Sequence, residues 1–169
     1  MKEQKNTETE KKFLIRYPGE DLLSCIPTSD RSFISQTYLL SENGVTARVR
    51  CRKYASGIKY TKTEKRRITD MSCFEDEREL TEEEYLLELK KADPARHTIE
   101  KERILLREGC HIFEIDLYPF WKKTAIMEIE LQSEDEEFTL PHGITVIKDV
   151  TSDKSYKNAS LALKIPKEE

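Results

Sequence analysis

The chain has 169 residues, 37% of them charged and 37% apolar, with a formal net charge of −4. That length suits a single domain spanning 1–169, large enough to bury a core without disulfide or metal staples. The near balance of charge signs argues against intrinsic disorder, and net acidity argues against a general nucleic-acid binder.

Glycine and proline divide the chain into runs of strand length. The first is Glu8–Arg16. A short helix is expected after Pro18, with Leu22 and Leu23 inward. Ser35–Leu40, Thr46–Lys53, Lys59–Ile68 and Phe74–Leu80 read as successive strands. Thr81-Glu82-Glu83-Glu84 is a capping box, a threonine followed three residues later by a carboxylate, and it opens a helix. Tyr85, Leu86 and Leu89 form the apolar stripe of that helix. Lys90 and Lys91 suit its negative end, and Pro94 stops its continuation. Further strands follow at Thr98–Arg107, Cys110–Tyr118 and Ala125–Gln132. Trp121 reads as a packing anchor. Lys154–Leu163 is a candidate third helix that buries Tyr156, Leu161 and Leu163. Many strands and few helices predict an α+β fold, mainly antiparallel β, in the form of a barrel or sandwich.

Cys25, Cys51, Cys73 and Cys110 form no CxxC pair, and with three histidines no zinc ligand set is expected. The opening MKEQKNTETEKK lacks the apolar segment of a leader peptide. No apolar stretch reaches the ~20 residues of a membrane span. The expectation is a cytoplasmic protein with reduced thiols and no membrane partner.

Within the strands, charge repeats with period two. Glu8, Glu10 and Lys12 alternate, as do Arg48, Arg50 and Arg52, Lys65 and Arg67, Lys101 and Arg103, Glu114 and Asp116, and Glu128 and Glu130. Residues two apart in a strand share a face, roughly 6.5 to 7 Å apart. The opposite faces are often apolar: Val49 and Cys51, then Phe113, Ile115 and Leu117, then Met127, Ile129 and Leu131. Alternation by itself also fits a half-buried sheet with its charged side in water. Two features favour a closed eight-stranded β-barrel with the charges inside. Most strands carry one sign only, whereas a solubilising surface mixes signs, and the pattern recurs in six strands. Clustered arginines then call for a polyanion, and clustered carboxylates for a cation that prefers oxygen ligands. Glu75 and Glu77 lie in a segment charged almost throughout, so their spacing carries little. Arg52 and Arg67 stand at strand ends, where a rim position is expected.

The ordered set of motifs resembles the CYTH superfamily, the triphosphate tunnel metalloenzymes. Glu8-Thr9-Glu10-Lys11-Lys12 is similar to the ExExK signature. Gln36-Thr37-Tyr38-Leu39, Arg48-Val49-Arg50 and Thr63-Glu64-Lys65 resemble the strands that follow it. Ile99-Glu100-Lys101-Glu102-Arg103, Glu114-Ile115-Asp116 and Glu128-Ile129-Glu130 come next in family order. Asp149-Val150-Thr151 and Tyr156–Ala162 are similar to the closing segment, although glutamate is expected where Asp149 stands. Lys62 and Glu64 occupy positions that are often apolar, and they are expected to face outward.

The resemblance implies an eight-stranded tunnel that binds a triphosphate or polyphosphate with Mg²⁺ or Mn²⁺. Lys12, Arg48, Arg50, Lys65, Lys101 and Arg103 would grip the phosphates. Glu8, Glu10, Glu128 and Glu130 would hold the metal or direct the attacking water. Asp116 is grouped with the metal ligands, its other reading being to orient the basic residues. The implied activity is metal-dependent triphosphate hydrolysis. A class IV-like adenylyl cyclase and a non-catalytic polyphosphate-binding module are the alternatives.

Overall fold

The structure is a computed structural model, and it describes residues 7–168. Of residues 1–12, read as lacking the apolar segment of a leader, 1–6 lie outside the described residues. Among the described residues nine strands and three α-helices run in the order β1 (Thr7–Arg16), α1 (Glu20–Cys25), β2 (Arg31–Leu39), β3 (Val45–Tyr54), β4 (Gly57–Arg67), β5 (Ser72–Leu80), α2 (Glu82–Leu89), β6 (Ile99–Glu108), β7 (His111–Leu117), β8 (Thr124–Leu131), β9 (Val146–Asp149) and α3 (Asn158–Leu161).

The strands pair antiparallel in the order β5-β4-β3-β2-β6-β7-β8-β1, and a further β5–β1 pairing closes them into an eight-stranded barrel. Short connections make this order possible. Gly109, at a φ of +60°, opens the two-residue turn between β6 and β7, a position that excludes most side chains. The closing seam is short. Thr7, Glu8 and Thr9 face Phe74, Cys73 and Ser72, and the hydroxyls of Thr9 and Ser72 lie 2.8 Å apart. Farther along β1, Phe13–Ile15 pairs instead with β9. The β9 strand was not foreseen. It is four residues long, and its pairing depends on the edge of β1 that β5 leaves free.

Strands β1, β7 and β8 have an apolar outer face. Phe113, Ile115, Met127 and Ile129 are fully buried there, under Leu23, Ile26, Phe138 and Val146. A second external cluster, with Ala47, Val49 and Leu80, lies beneath Tyr85 and Leu89 of α2. The expected capping box is present: Thr81 Oγ1 accepts from the Glu84 amide, and Glu84 accepts from the Thr81 amide. Leu86 departs from expectation and is 54% exposed. The inner stripe is Tyr85, Glu88 and Leu89, at helical spacings of three and four, with Leu86 turned away by 100°. Glu88 is buried because Lys62 and Lys91 meet its carboxylate at 3.0 and 3.1 Å. This contact also places Lys62 on the outside, as expected.

The barrel interior changes character along its axis. One end is filled by Leu14, Tyr38, Ile99, Tyr118 and Ile126, with Tyr156, Leu161 and Ala162 of the C-terminal segment packed against them. Trp121 belongs to this cluster, and its Nε1 donates to the Pro166 carbonyl at 3.0 Å. The C-terminal helix is broken rather than continuous. A 3₁₀ turn at Lys154–Tyr156 is followed by extended Lys157 and then by α3. Leu163, expected to be buried, is exposed.

Burial separates the leucine and phenylalanine positions by their cost. Phe113→Ala is expected to lower stability by about 3–5 kcal/mol, whereas Leu86→Ala is expected to stay within about 0.5 kcal/mol of wild type. Urea melts of both variants measure the difference.

Candidate active site

The strand register carries the inward residues around the wall. On β1 and β8, Glu10 faces Glu130 and Lys12 faces Glu128. Glu128 in turn faces Glu114 on β7, and Asp116 faces Arg103 on β6. On the other side, Tyr38, Arg48, Thr63 and Glu77 form one row across β2 to β5, and Thr46, Lys65 and Glu75 form the next. Glu8 meets Cys73 at the seam. The period-two charges therefore point into one enclosure because the wall is closed and the register is in phase.

These side chains surround a cavity of about 500 Å³. Of the expected site residues, Glu8, Glu10, Lys12, Arg48, Arg50, Lys65, Arg103, Glu128 and Glu130 line it. Lys101 and Asp116 do not. Both side chains are fully buried beneath its floor, with Lys101 Nζ 2.6 Å from Asp116 Oδ2. Arg103 donates to the same carboxylate from Nε at 2.7 Å and Nη2 at 2.9 Å. Asp116 has no face turned to the cavity, so its geometry is that of a counter-ion that orients Arg103 and not that of a metal ligand. Burial opposes its ionisation, yet Arg103 and Lys101 hold its carboxyl well below the usual carboxylate range.

The basic side of the cavity is held from behind. Gln36 is fully buried and accepts from Arg50 Nε and Nη2 at 3.1 and 2.8 Å. Its own amide donates to Tyr38 Oη at 2.7 Å. Burial, with Arg48 and Arg103 close by, pulls Arg50 down to about 9. Among the described residues Arg48 forms no ion pair, and its buried Nε has no hydrogen-bond partner. Arg103 also contacts Glu114 and Glu128.

The acidic side is under-neutralised. Glu128 is paired with Lys12 at 3.0 Å. Burial works against its charge, but Lys12 and Arg103 outweigh burial and hold the carboxyl down to about 2. Glu10 and Glu130 stand opposite each other across two strands, and neither carboxylate makes a hydrogen bond or ion-pair contact among the described residues. Burial and then Glu128 raise the Glu10 carboxyl, and burial and then Glu8 raise that of Glu130. The Glu8 carboxyl is also raised, first by burial. Among the described residues the group whose donor atoms already lie within 4.8 Å of one another is Glu8, Cys73 and Glu75, and the carboxylate oxygens that Glu10 and Glu130 add on the same side are of the type that suits a hard divalent cation such as Mg²⁺ or Mn²⁺.

Several cavity residues carried little signal in the sequence. Glu75 and Glu77 share the inward face of β5, but exposed Asp76 between them and Arg78 after them hide the alternation. Arg52 and Arg67 also line the cavity. Gln36 supports Arg50 and was legible only as part of a resembling strand. Lys157 and Asn158 reach the cavity from the C-terminal segment, and Asn158 Oδ1 accepts from Tyr118 Oη at 2.7 Å.

The sequence matches no protein-family model and no curated protein. Solved structures do match. The inorganic triphosphatase NE1496 is 25% identical, with 95% of this chain and 97% of that one covered and a TM-score of 0.58. A conserved hypothetical protein from Pyrococcus furiosus is 20% identical over 76% of this chain and 80% of its own, with a TM-score of 0.55. A proposed adenylate cyclase from Bacillus halodurans is 15% identical over 76% and 83%, with a TM-score of 0.52. The last two share the fold. No described helix is long and apolar enough to cross a membrane.

The carboxylate shifts have opposite consequences for stability. Glu128, with a depressed folded value, contributes stability above its ordinary value of 4.5, and that contribution is lost as pH falls toward about 2. Glu8, Glu10 and Glu130 have raised folded values, so their ionisation costs stability near neutrality and the cost is relieved as they take up protons. Metal-free protein is therefore expected to gain stability on mild acidification from pH 7 and to lose it below about pH 4. Glu130→Gln should flatten the gain, and urea melts across this range read it.

Proposed function

We propose that this chain, a member of the CYTH superfamily of triphosphate tunnel metalloenzymes, hydrolyses a triphosphate bound in its barrel with the aid of Mg²⁺ or Mn²⁺. The observation that carries this reading is the division of one cavity into a basic side with an unpartnered Arg48 and an acidic side with an unneutralised Glu10–Glu130 pair. A metal-bound polyanion would supply a partner to both sides at once. The likeness to the inorganic triphosphatase NE1496 across nearly the whole chain supports the same reading.

In this scheme Arg48 and Arg50 donate charge-assisted hydrogen bonds to phosphate oxygens, Arg50 being presented by Gln36. Arg103 is aimed by Asp116, and Lys12 and Lys65 complete the basic wall. Preorganised donors such as Arg50 and Arg103 act where charge develops on the leaving phosphate, and they need no rearrangement during the step. Glu8, Glu10, Glu128 and Glu130 would hold the divalent ion, which when bound withdraws charge from phosphoryl oxygens and acidifies water. Glu10 and Glu130, whose carboxylates have no hydrogen-bond or ion-pair partner among the described residues, are the better placed to accept a proton from the attacking water. Glu128, held ionised by Lys12, is the better suited to stay a carboxylate throughout.

Hydrolysis is favoured over a cyclase outcome by the cavity wall. Among the described residues Tyr38 is the aromatic side chain that lines it, and this side chain is buried and engaged with Gln36. No ring is offered to stack a purine. The substrate class that fits is an inorganic triphosphate, with nucleoside triphosphates as poorer substrates. A binding-only module would have no use for the acidic side.

Phosphate release from tripolyphosphate, ATP and thiamine triphosphate is expected to require Mg²⁺ or Mn²⁺ and to stop with EDTA. Ca²⁺ should substitute poorly because its coordination is larger and looser. Glu130→Gln is expected to lose activity by about 10²-fold or more and to lose the Mn²⁺-induced rise in melting temperature, while still binding tripolyphosphate in EDTA. An equal Mn²⁺ shift in both proteins, with hydrolysis intact, would remove Glu130 from the site.

The basic side is tested by Arg48→Ala and Arg50→Ala, since neither residue holds Asp116. Each is expected to weaken tripolyphosphate binding by about 1.5–3 kcal/mol, the range for a hydrogen bond to a charged group. Calorimetry on the folded variants measures the loss, and unchanged binding in the double variant would place the phosphate elsewhere.

A further inference from the structure

Lys65 differs from its basic neighbours in what it touches. Its Nζ lies 2.6 Å from Glu8 Oε2 and 3.2 Å from Glu75 Oε2, so one ammonium bridges carboxylates from β1 and β5 across the closing seam. Cys73 Sγ is 3.6 Å from the same Glu8 oxygen. Donor atoms of Glu8, Cys73 and Glu75 all lie within 4.8 Å of one another. Arg48, one row away, has no ion pair among the described residues. One cavity cation is thus ready for an anion, while another is held by a carboxylate that the proposed reaction assigns to the metal.

We propose that Lys65 is an internal counter-ion of the metal-binding carboxylates, and that metal and triphosphate displace it together. This inference rests on the functional reading above. The ammonium and a divalent cation cannot both occupy Glu8 Oε2, because two positive charges at that distance repel strongly in a half-buried wall. Metal bound through Glu8 Oε2 therefore expels Lys65 from that oxygen and leaves it with Glu75. Triphosphate alone must pull Lys65 from both carboxylates and leave Glu8 and Glu75 facing each other. When both bind, the metal neutralises Glu8 and the released ammonium turns to the phosphate chain. Each ligand supplies the partner that the other removes, and by linkage the coupling is equal in both directions. Glu75 is then a positioning residue. It stands directly opposite Lys65 in the β4–β5 register and keeps the ammonium at the seam.

The test reads binding, not turnover. Mn²⁺ is titrated calorimetrically into wild type and Lys65→Gln with no anion present, and the variant is expected to bind about fivefold tighter or more. Arg48→Gln, which removes a cavity charge that holds no carboxylate, is expected to change Mn²⁺ affinity much less. Tripolyphosphate titrated in EDTA is expected to bind Glu75→Gln more tightly than wild type, because Lys65 is then held by Glu8 alone. Equal or weaker Mn²⁺ binding by Lys65→Gln, or an equal gain in Arg48→Gln, overturns the counter-ion role and leaves the functional reading standing. Absence of Mn²⁺ binding in every protein overturns both. If Lys65→Gln fails to fold with its two carboxylates face to face, Lys65→Gln/Glu75→Gln is compared with Glu75→Gln. Both lack Glu75, and the double variant is expected to bind Mn²⁺ more tightly.

Discussion

Neutralising charge inside a closed wall is the constraint on which the rest of this structure depends. An open sheet can turn its polar face to water, but a barrel encloses that face. Asp116 shows what enclosure demands. Its carboxylate is fully buried and survives as a charge only because Lys101 and Arg103 surround it. Such a buried group adds little net stability over an apolar replacement, since desolvation offsets the attraction. What it provides is orientation, because Arg103 is held by two parallel hydrogen bonds before any phosphate arrives.

Above that floor the neutralisation is left incomplete. Arg50 has only the neutral support of Gln36, Arg48 has no ion pair among the described residues, and Glu10 faces Glu130 across adjacent strands. An enclosure with surplus positive charge on one side and surplus negative charge on the other suits a metal-bound polyanion better than either ion alone. Lys65 lies between the two sides, at the seam where three residue pairs join β1 to β5. The shortest pairing in the barrel is thus also where one ammonium bridges carboxylates of two strands.

The apolar plug sets how far this arrangement extends. Leu14 and Ile126 continue the inward faces that begin with Lys12 and Glu128, so the same two strands supply both the charged cavity and its floor. The C-terminal segment packs Tyr156 and Leu161 into that floor and brings Asn158 to Tyr118. A chain terminus thereby becomes part of the site without contributing a strand to the barrel.

The eight barrel strands were legible in the sequence because period two is a local property: residues at i and i+2 share a face wherever the strand lies. That is why Arg48 and Arg50, or Glu128 and Glu130, could be grouped before any fold was known. The capping box at Thr81 was legible for the same reason, as it involves four consecutive residues. The tertiary structure decided matters that no local pattern contains. Asp116 and Glu128 have similar surroundings in sequence, yet one is covered by Lys101 and Arg103 while the other reaches the cavity, because register across β6, β7 and β8 sets their depth along the barrel axis. Leu86 and Leu89 are equally apolar, and only the direction of the barrel wall separates the exposed one from the packed one. Glu75 joined the site, and β9 became a strand, because β1 offers a single edge that β5 and β9 must share, an outcome set by closure of the sheet and by no residue taken alone.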